Sequence, residues 1–234
     1  MSVQSFDVIV AGTGSMGAAT CYELARQGCH VLGLEQQSQV PHDLGAHAGQ
    51  SRMIRKAYFE HPDYIPLLQQ AYHQWQELEA ITGEQLYHPC GLLYYGPGEH
   101  PVLQGVKSAA RDFQIPLQPV SYHSYLSAFV ERTGYEAWLE PEAGFLLPEK
   151  SIRLFLEQAG KAGARLHRDE GLISWKKKGD QLTVTTSKAS YVSKKLLITA
   201  GPWAAALIKE LPVPLQVTRQ LILWVETDQK LDYS

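Results

Sequence analysis

Three closely spaced glycines near the N-terminus limit the possible folds more than any other feature of the chain. The stretch "VIVAGTGSMGAATCYELARQG" covers residues 8–28 and places Gly12, Gly14 and Gly17 directly after a run of β-branched residues. In a strand–turn–helix unit, the first glycine permits the tight turn and the second lets a pyrophosphate approach the backbone. The third lets the helix pack closely on the strand. Because the free N–H groups of a helix N-terminus favour an anion, the stretch predicts a dinucleotide-binding unit.

The next strand of the unit ends in an acid, which narrows the choice of dinucleotide. We expect a strand over 6–11, a helix over 15–27 and a second strand over 30–34, followed by Glu35. A carboxylate at that position accepts hydrogen bonds from ribose hydroxyls and repels a 2′-phosphate. The pattern therefore favours NAD or FAD over NADP. The alternative is a glycine-rich turn followed by a solvated glutamate.

Composition excludes several other classes of protein. The chain has 234 residues and a formal net charge of -3, which gives no reason to expect nucleic acid or an anionic membrane as a partner. It has no apolar run of about 18 residues, the minimum for a membrane-spanning helix, and its first residues do not resemble a signal peptide. The three cysteines show no C-x-x-C spacing, and His42, Asp43 and His47 fit no known metal site. We expect a cytoplasmic protein without a structural metal.

Hydrophobic periodicity predicts the remaining elements. Further helices are expected over 62–81, 102–113 and 150–162, and from the end of the segment "AGPW" to Glu210. Strands are expected over 91–95, 172–177, 181–186, 195–199 and 215–225. Residues 36–50 and 134–145 are expected to be irregular, the second as a turn-rich connector.

The stretch "GAHAGQSRMIRKAY", residues 45–58, separates a flavin enzyme from a nicotinamide enzyme. In a nicotinamide dehydrogenase the acid is usually followed by another helix and strand, whereas here a polar loop follows. Arg52 and Arg55 are three residues apart, which places two guanidinium groups on one side of a helix or tight turn. Two nearby cations indicate an anionic target, such as a substrate carboxylate or a reduced isoalloxazine. Two surface arginines in ion pairs are the alternative.

With "YIPLLQQAYHQWQELE", "GFLLPEKSIR" and "LLITAGPWAAALI", these stretches resemble the monomeric sarcosine oxidase and N-methyltryptophan oxidase family. Its members are FAD amine oxidases of the D-amino-acid oxidase fold class, and the resemblance covers essentially the whole chain in order. It implies an α/β fold with a discontinuous, Rossmann-like FAD-binding domain over 1–85 and 145–212. A partial, α+β substrate-binding domain would occupy 86–144 and 213–234.

The resemblance also implies site residues. Those that would bind the FAD pyrophosphate lie in the glycine turn: Gly12, Gly14, Ser15, Met16 and Gly17. Glu35 would bind the adenosine ribose and the Leu172 backbone the adenine, while Ala200, Gly201 and Trp203 would close on the cofactor. His47, Ser51 and Arg52 would lie beside the flavin, with His47 and Arg52 as the catalytic candidates. Arg55 would bind the substrate carboxylate, with Tyr58 as a second substrate-binding residue.

The implied activity is oxidation of an N-methyl amino acid, similar to sarcosine or N-methyltryptophan. A monomer would use oxygen and release formaldehyde, the demethylated amino acid and hydrogen peroxide. Ala48 and Gln50 depart from the family loop, which usually carries a second histidine and an acid there. Family members are also longer, and the cysteine that attaches FAD would lie beyond Ser234, so covalent attachment is not predicted. The alternatives are another FAD-dependent amino-acid oxidase or dehydrogenase, an NAD-dependent dehydrogenase, or an inactive truncated fragment that binds nucleotide.

Overall fold

The computed structural model describes residues 3–121, 132–208, 213–223 and 226. Contacts divide the chain into two compact units, Met1–Gln50 with Pro148–Ile222 and Ser51–Leu147 with Leu223–Ser234. The first unit differs from the predicted FAD-binding ranges mainly in residues 51–85, which belong to the second unit. The assignment of a function to each domain stays a prediction, and parts of both predicted domains, including 227–234, lie outside the described residues.

The elements are listed here in chain order. The strands are β1 (Ser5–Ala11), β2 (Val31–Leu34), β3 (Arg52–Ile54), β4 (Tyr87–His88), β5 (Leu92–Pro97), β6 (Gln118–Pro119), β7 (Tyr135–Glu140), β8 (Gly144–Leu146), β9 (Arg165–His167), β10 (Leu172–Lys178), β11 (Gln181–Thr186) and β12 (Ser190–Ile198). The helices are α1 (Ser15–Arg26), α2 (Tyr64–Thr82), α3 (Pro101–Phe113), α4 (Pro148–Lys161) and α5 (Ala204–Leu207), with a 3₁₀ turn at Gly201–Trp203.

The first unit is built on a sheet with the strand order β10-β11-β12-β1-β2-β9. Strands β12, β1, β2 and β9 are parallel, while β10, β11 and β12 form an antiparallel meander. Because β1 has β2 on one side and β12 on the other, the turn that follows it opens where the strand order reverses. In open α/β sheets, ligands bind at the carboxyl ends of the strands at such a point.

Two apolar layers cover this sheet. Helices α1 and α4 pack against one face through a cluster that includes Val10, Cys21, Val31 and Ala159. A second cluster joins β1 and β2 to the meander through Phe6, Ile9, Leu32, Leu34, Val184 and Tyr191. Strand β2 is buried along its whole length, as expected for a parallel strand covered on both faces.

The second unit has two small antiparallel sheets, β3-β8-β4 and β5-β7-β6. Helix α3 begins at a proline and ends at Phe113, and the C-cap residue Gln114 has a φ of 55°. Its buried residues Leu103, Val106, Ala109 and Ala110 join Tyr94 of β5 in one core cluster. Ala57, just after β3, belongs to the same cluster, so this core supports the loop that carries Arg55.

The predicted helices over 15–27, 62–81, 102–113 and 150–162 are confirmed with small shifts of their ends. The turn-rich connector over 134–145 is wrong, because that range contains β7 and β8. The strand over 215–225 is also wrong in its described part, since residues 215–223 form no strand there. The apolar side chains of that range are exposed, Leu221 by 81% and Val217 by 62%. The helix after "AGPW" ends at Leu207, and residues 209–210 of the prediction lie outside the described ranges.

A buried polar network secures the loop between β9 and β10. Glu170 is 3% exposed. Its carboxylate accepts hydrogen bonds from Thr186 Oγ1 at 2.6 Å and the Tyr191 hydroxyl at 2.9 Å, and lies 2.9 Å from His167 Nδ1. Burial raises the pKa of Glu170, but these three hydrogen bonds outweigh burial and lower the pKa overall. The Glu170 amide also donates to the Glu35 carbonyl at 2.7 Å, so the network holds the residue that ends the second strand.

Glu170→Gln tests the contribution of this network to stability. Because the folded pKa lies below the ordinary value of 4.5, the unfolded chain binds the proton more readily. The stabilisation is therefore present above that value and is lost as pH falls through the folded pKa. We expect Glu170→Gln to lower the free energy of unfolding by about 1–3 kcal/mol near neutral pH, and to flatten its dependence on pH in acid. Urea unfolding at a series of pH values measures both effects.

Glu157→Gln on α4 is the matched control, because Glu157 forms an exposed i,i+4 ion pair with Lys161. Its effect on unfolding should stay below about 0.5 kcal/mol. An acid dependence in Glu170→Gln that equals the wild-type dependence would contradict the assignment.

Candidate functional site

A cavity of about 450 Å³ opens in the first unit at the carboxyl ends of the parallel strands. This volume lies within the range of about 300–1,000 Å³ that is typical of ligand sites. Its walls come from the turn after β1, the end of β2, the loop at 42–47, the start of β10 and residues 198–207. These segments are far apart in sequence and meet only in the folded sheet.

Packing within the protein explains two of the three glycines of the turn. Gly12 has a φ of +99°, and a Cβ there would lie 2.6 Å from the Thr199 carbonyl oxygen. A Cβ on Gly17 would overlap the Gly12 carbonyl. Gly14 differs, because its φ is -64° and a Cβ would meet only the His47 ring, at 3.5 Å. Internal packing gives no reason for a glycine at 14, whereas close approach of a ligand to the backbone does.

The N-terminus of α1 is suited to an anion. Its N-cap residue is Gly14, which has no side chain to offer to the first amides, and its first turn holds no acidic residue. The positive end of the helix dipole is therefore not neutralised by its own first turn. Ser15 and Met16 line the cavity at this end, and Met16 is 73% exposed.

Glu35 joins the glycine turn to the end of β2. Its buried carboxylate accepts hydrogen bonds from the Thr13 amide at 3.0 Å, the Thr13 hydroxyl at 3.3 Å and the Gln37 amide at 3.1 Å. His42 Nε2 lies 3.9 Å from Glu35 Oε1, the oxygen that accepts from the Gln37 amide. Glu35 lines the cavity. The residue predicted to bind the ribose therefore also fixes the glycine turn, a structural role that the sequence did not indicate.

Aromatic rings form another part of the wall. The rings of His42 and His47 have centroids 5.8 Å apart, and His42 meets Trp203 edge-on at 6.4 Å. His42 Nδ1 accepts a hydrogen bond from the Leu44 amide at 3.2 Å, which orients the ring. His42 was absent from the predicted site, and so was Thr199, which donates to the Gly12 carbonyl at 2.7 Å. The position of Thr199 directly before "AGPW" is the sequence signal that could have identified it.

The cavity brings together most of the predicted cofactor residues. Those that line it are Gly12, Gly14, Ser15, Met16, Glu35, His47, Leu172, Ala200, Gly201 and Trp203. Gly17 lies on α1 and packs against the turn. The contact of each residue with a cofactor stays a prediction.

The other predicted residues, Ser51, Arg52, Arg55 and Tyr58, belong to the second unit. Arg52 begins β3, and its Nη1 donates to the Ser51 carbonyl at 3.0 Å. The expected helix or tight turn across the two arginines is wrong, because residues 52–54 form a strand paired with β8 and Arg55 follows its end.

Arg55 lies among aromatic rings. Its guanidinium is 5.1 Å from the Tyr58 ring centroid and 4.9 Å from that of Phe59, and its Nη2 lies 2.8 Å from Glu60 Oε1. The Arg55 side chain is 16% exposed, so the cation is partly shielded from water. Such shielding strengthens its interaction with an anion.

Comparison with known proteins settles the family. The sequence model described as FAD dependent oxidoreductase matches residues 7–233. The chain belongs to the FAD-dependent oxidoreductase family. The cofactor predicted from the glycine turn and from the arginine loop (residues 45–58), FAD, is the cofactor of this family.

Curated relatives of the chain include two monomeric sarcosine oxidases. The protein of Streptomyces avermitilis is 32% identical over 95% of the chain and 58% of its own length. The protein of Bacillus sp. is 33% identical over 96% of the chain and 59% of its own length. N-methyl-L-tryptophan oxidase of Citrobacter koseri is 31% identical over 95% and 60%. The chain thus spans about three fifths of the length of these relatives, and the family resemblance predicted from the sequence is confirmed.

Solved structures confirm the predicted α/β fold. NikD, described as an unusual amino acid oxidase essential for nikkomycin biosynthesis, superposes with a TM-score of 0.79 at 24% identity, over 89% of this chain and 54% of that chain. Glycine oxidase from Geobacillus kaustophilus gives a TM-score of 0.74 at 21% identity, over 91% and 60%. None of the helices in the described ranges combines the length and apolar character needed to cross a membrane.

The residues of the first unit fit FAD on three observations. Gly14 has no packing reason to be a glycine, the uncapped α1 N-terminus lines the cavity, and a buried carboxylate follows β2. Amides and a helix dipole suit a pyrophosphate, and an acid at this position suits ribose hydroxyls. The chemistry of the donor set therefore agrees with the cofactor of the family.

Two alanine substitutions separate ligand binding from packing. We expect Gly14→Ala to lower the free energy of unfolding of the apoprotein by no more than about 1 kcal/mol, because alanine is a poorer N-cap than glycine, while the new methyl group meets only ordinary contacts. Its FAD affinity should fall at least about tenfold, or 1.4 kcal/mol, because the methyl group occupies space beside the phosphates. Gly12→Ala should instead destabilise the apoprotein by more than about 2 kcal/mol through backbone strain and overlap.

Urea unfolding of the apoprotein and fluorescence titration with FAD measure the two quantities. Gly160→Ala on α4 is the control, since a Cβ there meets nothing within 4 Å. An unchanged FAD affinity in Gly14→Ala would contradict the prediction that this turn binds the pyrophosphate.

Proposed function

We propose that the protein is an FAD-dependent oxidase of N-methyl amino acids. The observation that carries the proposal is the cavity at the α1 N-terminus, with a glycine at 14 that packing does not require. The substrate class is supported by the relatives, which are named as oxidases of sarcosine and N-methyl-L-tryptophan at 31–33% identity. In the overall reaction, an N-methyl amino acid, oxygen and water give the primary amino acid, formaldehyde and hydrogen peroxide.

The first unit would bind and orient the cofactor. The amides at the start of α1 would hold the pyrophosphate, with Ser15 and Met16 beside it, and Glu35 would accept hydrogen bonds from the ribose. The Leu172 backbone would meet the adenine, and Ala200, Gly201 and Trp203 would cover the cofactor. When bound, FAD supplies the two-electron oxidation of the N-methyl group and passes the electrons to oxygen.

Residues of the arginine loop would act on the substrate. His47, Ser51 and Arg52 would lie beside the flavin, where the Arg52 cation would stabilise negative charge that develops during reduction. Arg55 would bind the substrate carboxylate, with Tyr58 holding its guanidinium by a cation–π contact of 5.1 Å. A substrate carboxylate would compete with Glu60, whose side chain is 40% exposed. A monomer in the cytoplasm that uses oxygen as the acceptor completes the proposal.

Flavin content and peroxide formation test the proposal directly. The full-length protein, purified with added FAD, should absorb at about 450 nm as flavoproteins do. It should form peroxide with sarcosine or N-methyltryptophan faster than with glycine or proline. Oxidation of only glycine or proline would redirect the assignment to another amino-acid oxidase. A colourless protein that binds NADH and forms no peroxide would overturn it.

Arg55→Ala tests the carboxylate ligand. Hydrogen bonds to charged groups contribute about 1.5–3 kcal/mol, so KM should rise about 10- to 100-fold at 1.4 kcal/mol per tenfold. The value of kcat should change less, since the lost contact is made before and during the reaction alike. Steady-state peroxide assays of the full-length protein measure both constants. Arg111→Ala, which removes an exposed arginine paired with Asp112, is the control, and an unchanged KM in Arg55→Ala would exclude Arg55 from the role.

A further inference from the structure

Glu140 is a fully buried carboxylate in the second unit, directly beside residues 56–57. It is 0% exposed and ends β7. Its Oε1 accepts a hydrogen bond from the Lys56 amide at 2.6 Å, and its Oε2 accepts from the Ala57 amide at 3.2 Å. These two amides follow Arg55 in sequence. The Glu140 carboxylate therefore fixes the backbone at the point where the Arg55 side chain leaves the loop.

Tyr94 connects the same carboxylate to the Arg55 side chain. Its buried hydroxyl donates to Glu140 Oε2 at 2.8 Å. Burial raises the pKa of Tyr94, the Glu140 charge raises it further, and a hydrogen bond and charge from Arg55 oppose the rise. The hydroxyl therefore stays protonated near neutral pH. It donates its proton to Glu140, so only its oxygen is available to the Arg55 guanidinium.

We infer that Glu140 and Tyr94 are positioning residues that set Arg55 for recognition of the substrate carboxylate. Glu140 holds the backbone after Arg55, and Tyr94 joins that carboxylate to the guanidinium. The inference rests on the proposed function, because it assigns a purpose to the orientation of Arg55. Glu60 and Tyr94 each take part of a guanidinium that has five N–H donors, which leaves donors for a carboxylate.

A buried carboxylate is costly unless it is well paired, so its presence here needs a reason beyond filling space. The second unit offers a comparison in Glu79 on α2, whose Oε1 accepts from the amides of Leu86 and Tyr87 at 2.6 and 2.8 Å. Glu79 holds a loop in the same way as Glu140. The two devices differ in the tyrosine hydroxyl that links Glu140 to an arginine.

The test measures how strongly the enzyme prefers a substrate carboxylate over the uncharged amide of the same N-methyl amino acid. The readout is the ratio of kcat/KM for the acid to kcat/KM for the amide, in the full-length, FAD-loaded protein. We expect Tyr94→Phe and Glu140→Gln to lower this ratio about tenfold, mainly through KM of the acid. Loss of stability alone would not change the ratio, because both substrates are oxidised by the same folded protein.

Two matched variants serve as controls. Tyr95→Phe removes the hydroxyl of the neighbouring tyrosine, whose ring lies 5.2 Å from Tyr135. Glu79→Gln weakens the other loop-holding carboxylate. Both should keep the acid-to-amide ratio of the wild type, and Glu79→Gln should lower only the free energy of unfolding.

The outcomes separate the inference from the proposed function. If Arg55→Ala loses the ratio while Tyr94→Phe and Glu140→Gln keep it, the inference is wrong and the proposed function stands. If Arg55→Ala also keeps the ratio, the inference falls together with the role of Arg55, while oxidation of N-methyl amino acids still supports the proposed function. If no N-methyl amino acid is oxidised, both fall. If Glu140→Gln does not fold, Tyr94→Phe decides alone, since it retains the buried ring and removes one oxygen.

Discussion

The position of the glycine turn between two neighbouring strands is the constraint on which the first unit depends. The Gly12 amide donates to the Leu34 carbonyl at 2.8 Å, and the Gly12 carbonyl accepts from Thr199 Oγ1 at 2.7 Å. The Thr13 amide is held by Glu35 at 3.0 Å. With the turn held from both sides, the start of α1 lines a cavity whose shape is set before a ligand arrives. Such preorganisation lowers the cost of binding.

Local patterns carry the parts of this fold that the sequence predicts. The glycine turn, α1 and the acid at 35 follow from short-range periodicity and from the residue types that a tight turn requires. Strand β7 was missed because Gly134 and Pro141 at its ends signal turns, while its pairing with β5 is not visible locally. The alternation of apolar residues after residue 215 wrongly predicted a strand. Alternation indicates that a strand would have one apolar face, but it does not show whether a partner strand is present.

In the candidate site, too, residues with a local sequence signal could be predicted, whereas their contacts with distant residues could not. Arg52 and Arg55 stand out in the sequence, but the carboxylate that holds the backbone after Arg55 comes from elsewhere in the chain. The Lys56 amide and the Glu140 carboxylate are 84 positions apart, and the Tyr94–Glu140 pair is 46 apart. The role of Glu170 likewise cannot be recognised in the sequence, because its partners Thr186 and Tyr191 lie on strands β11 and β12. Polar side chains buried by tertiary contacts cannot be recognised until the strands are placed.

The separation of the cavity walls in sequence has a consequence for synthesis of the protein. Gly12 and Thr199 are 187 positions apart, yet they form one side of the same turn. A nascent chain emerges from its N-terminus at about 5–20 residues per second, so the βαβ unit leaves the ribosome many seconds before β12. During that interval β1 lacks one of its two neighbours, and residues 198–207 have not yet added their part of the cavity wall. The cavity is therefore complete only after β12 has been synthesised.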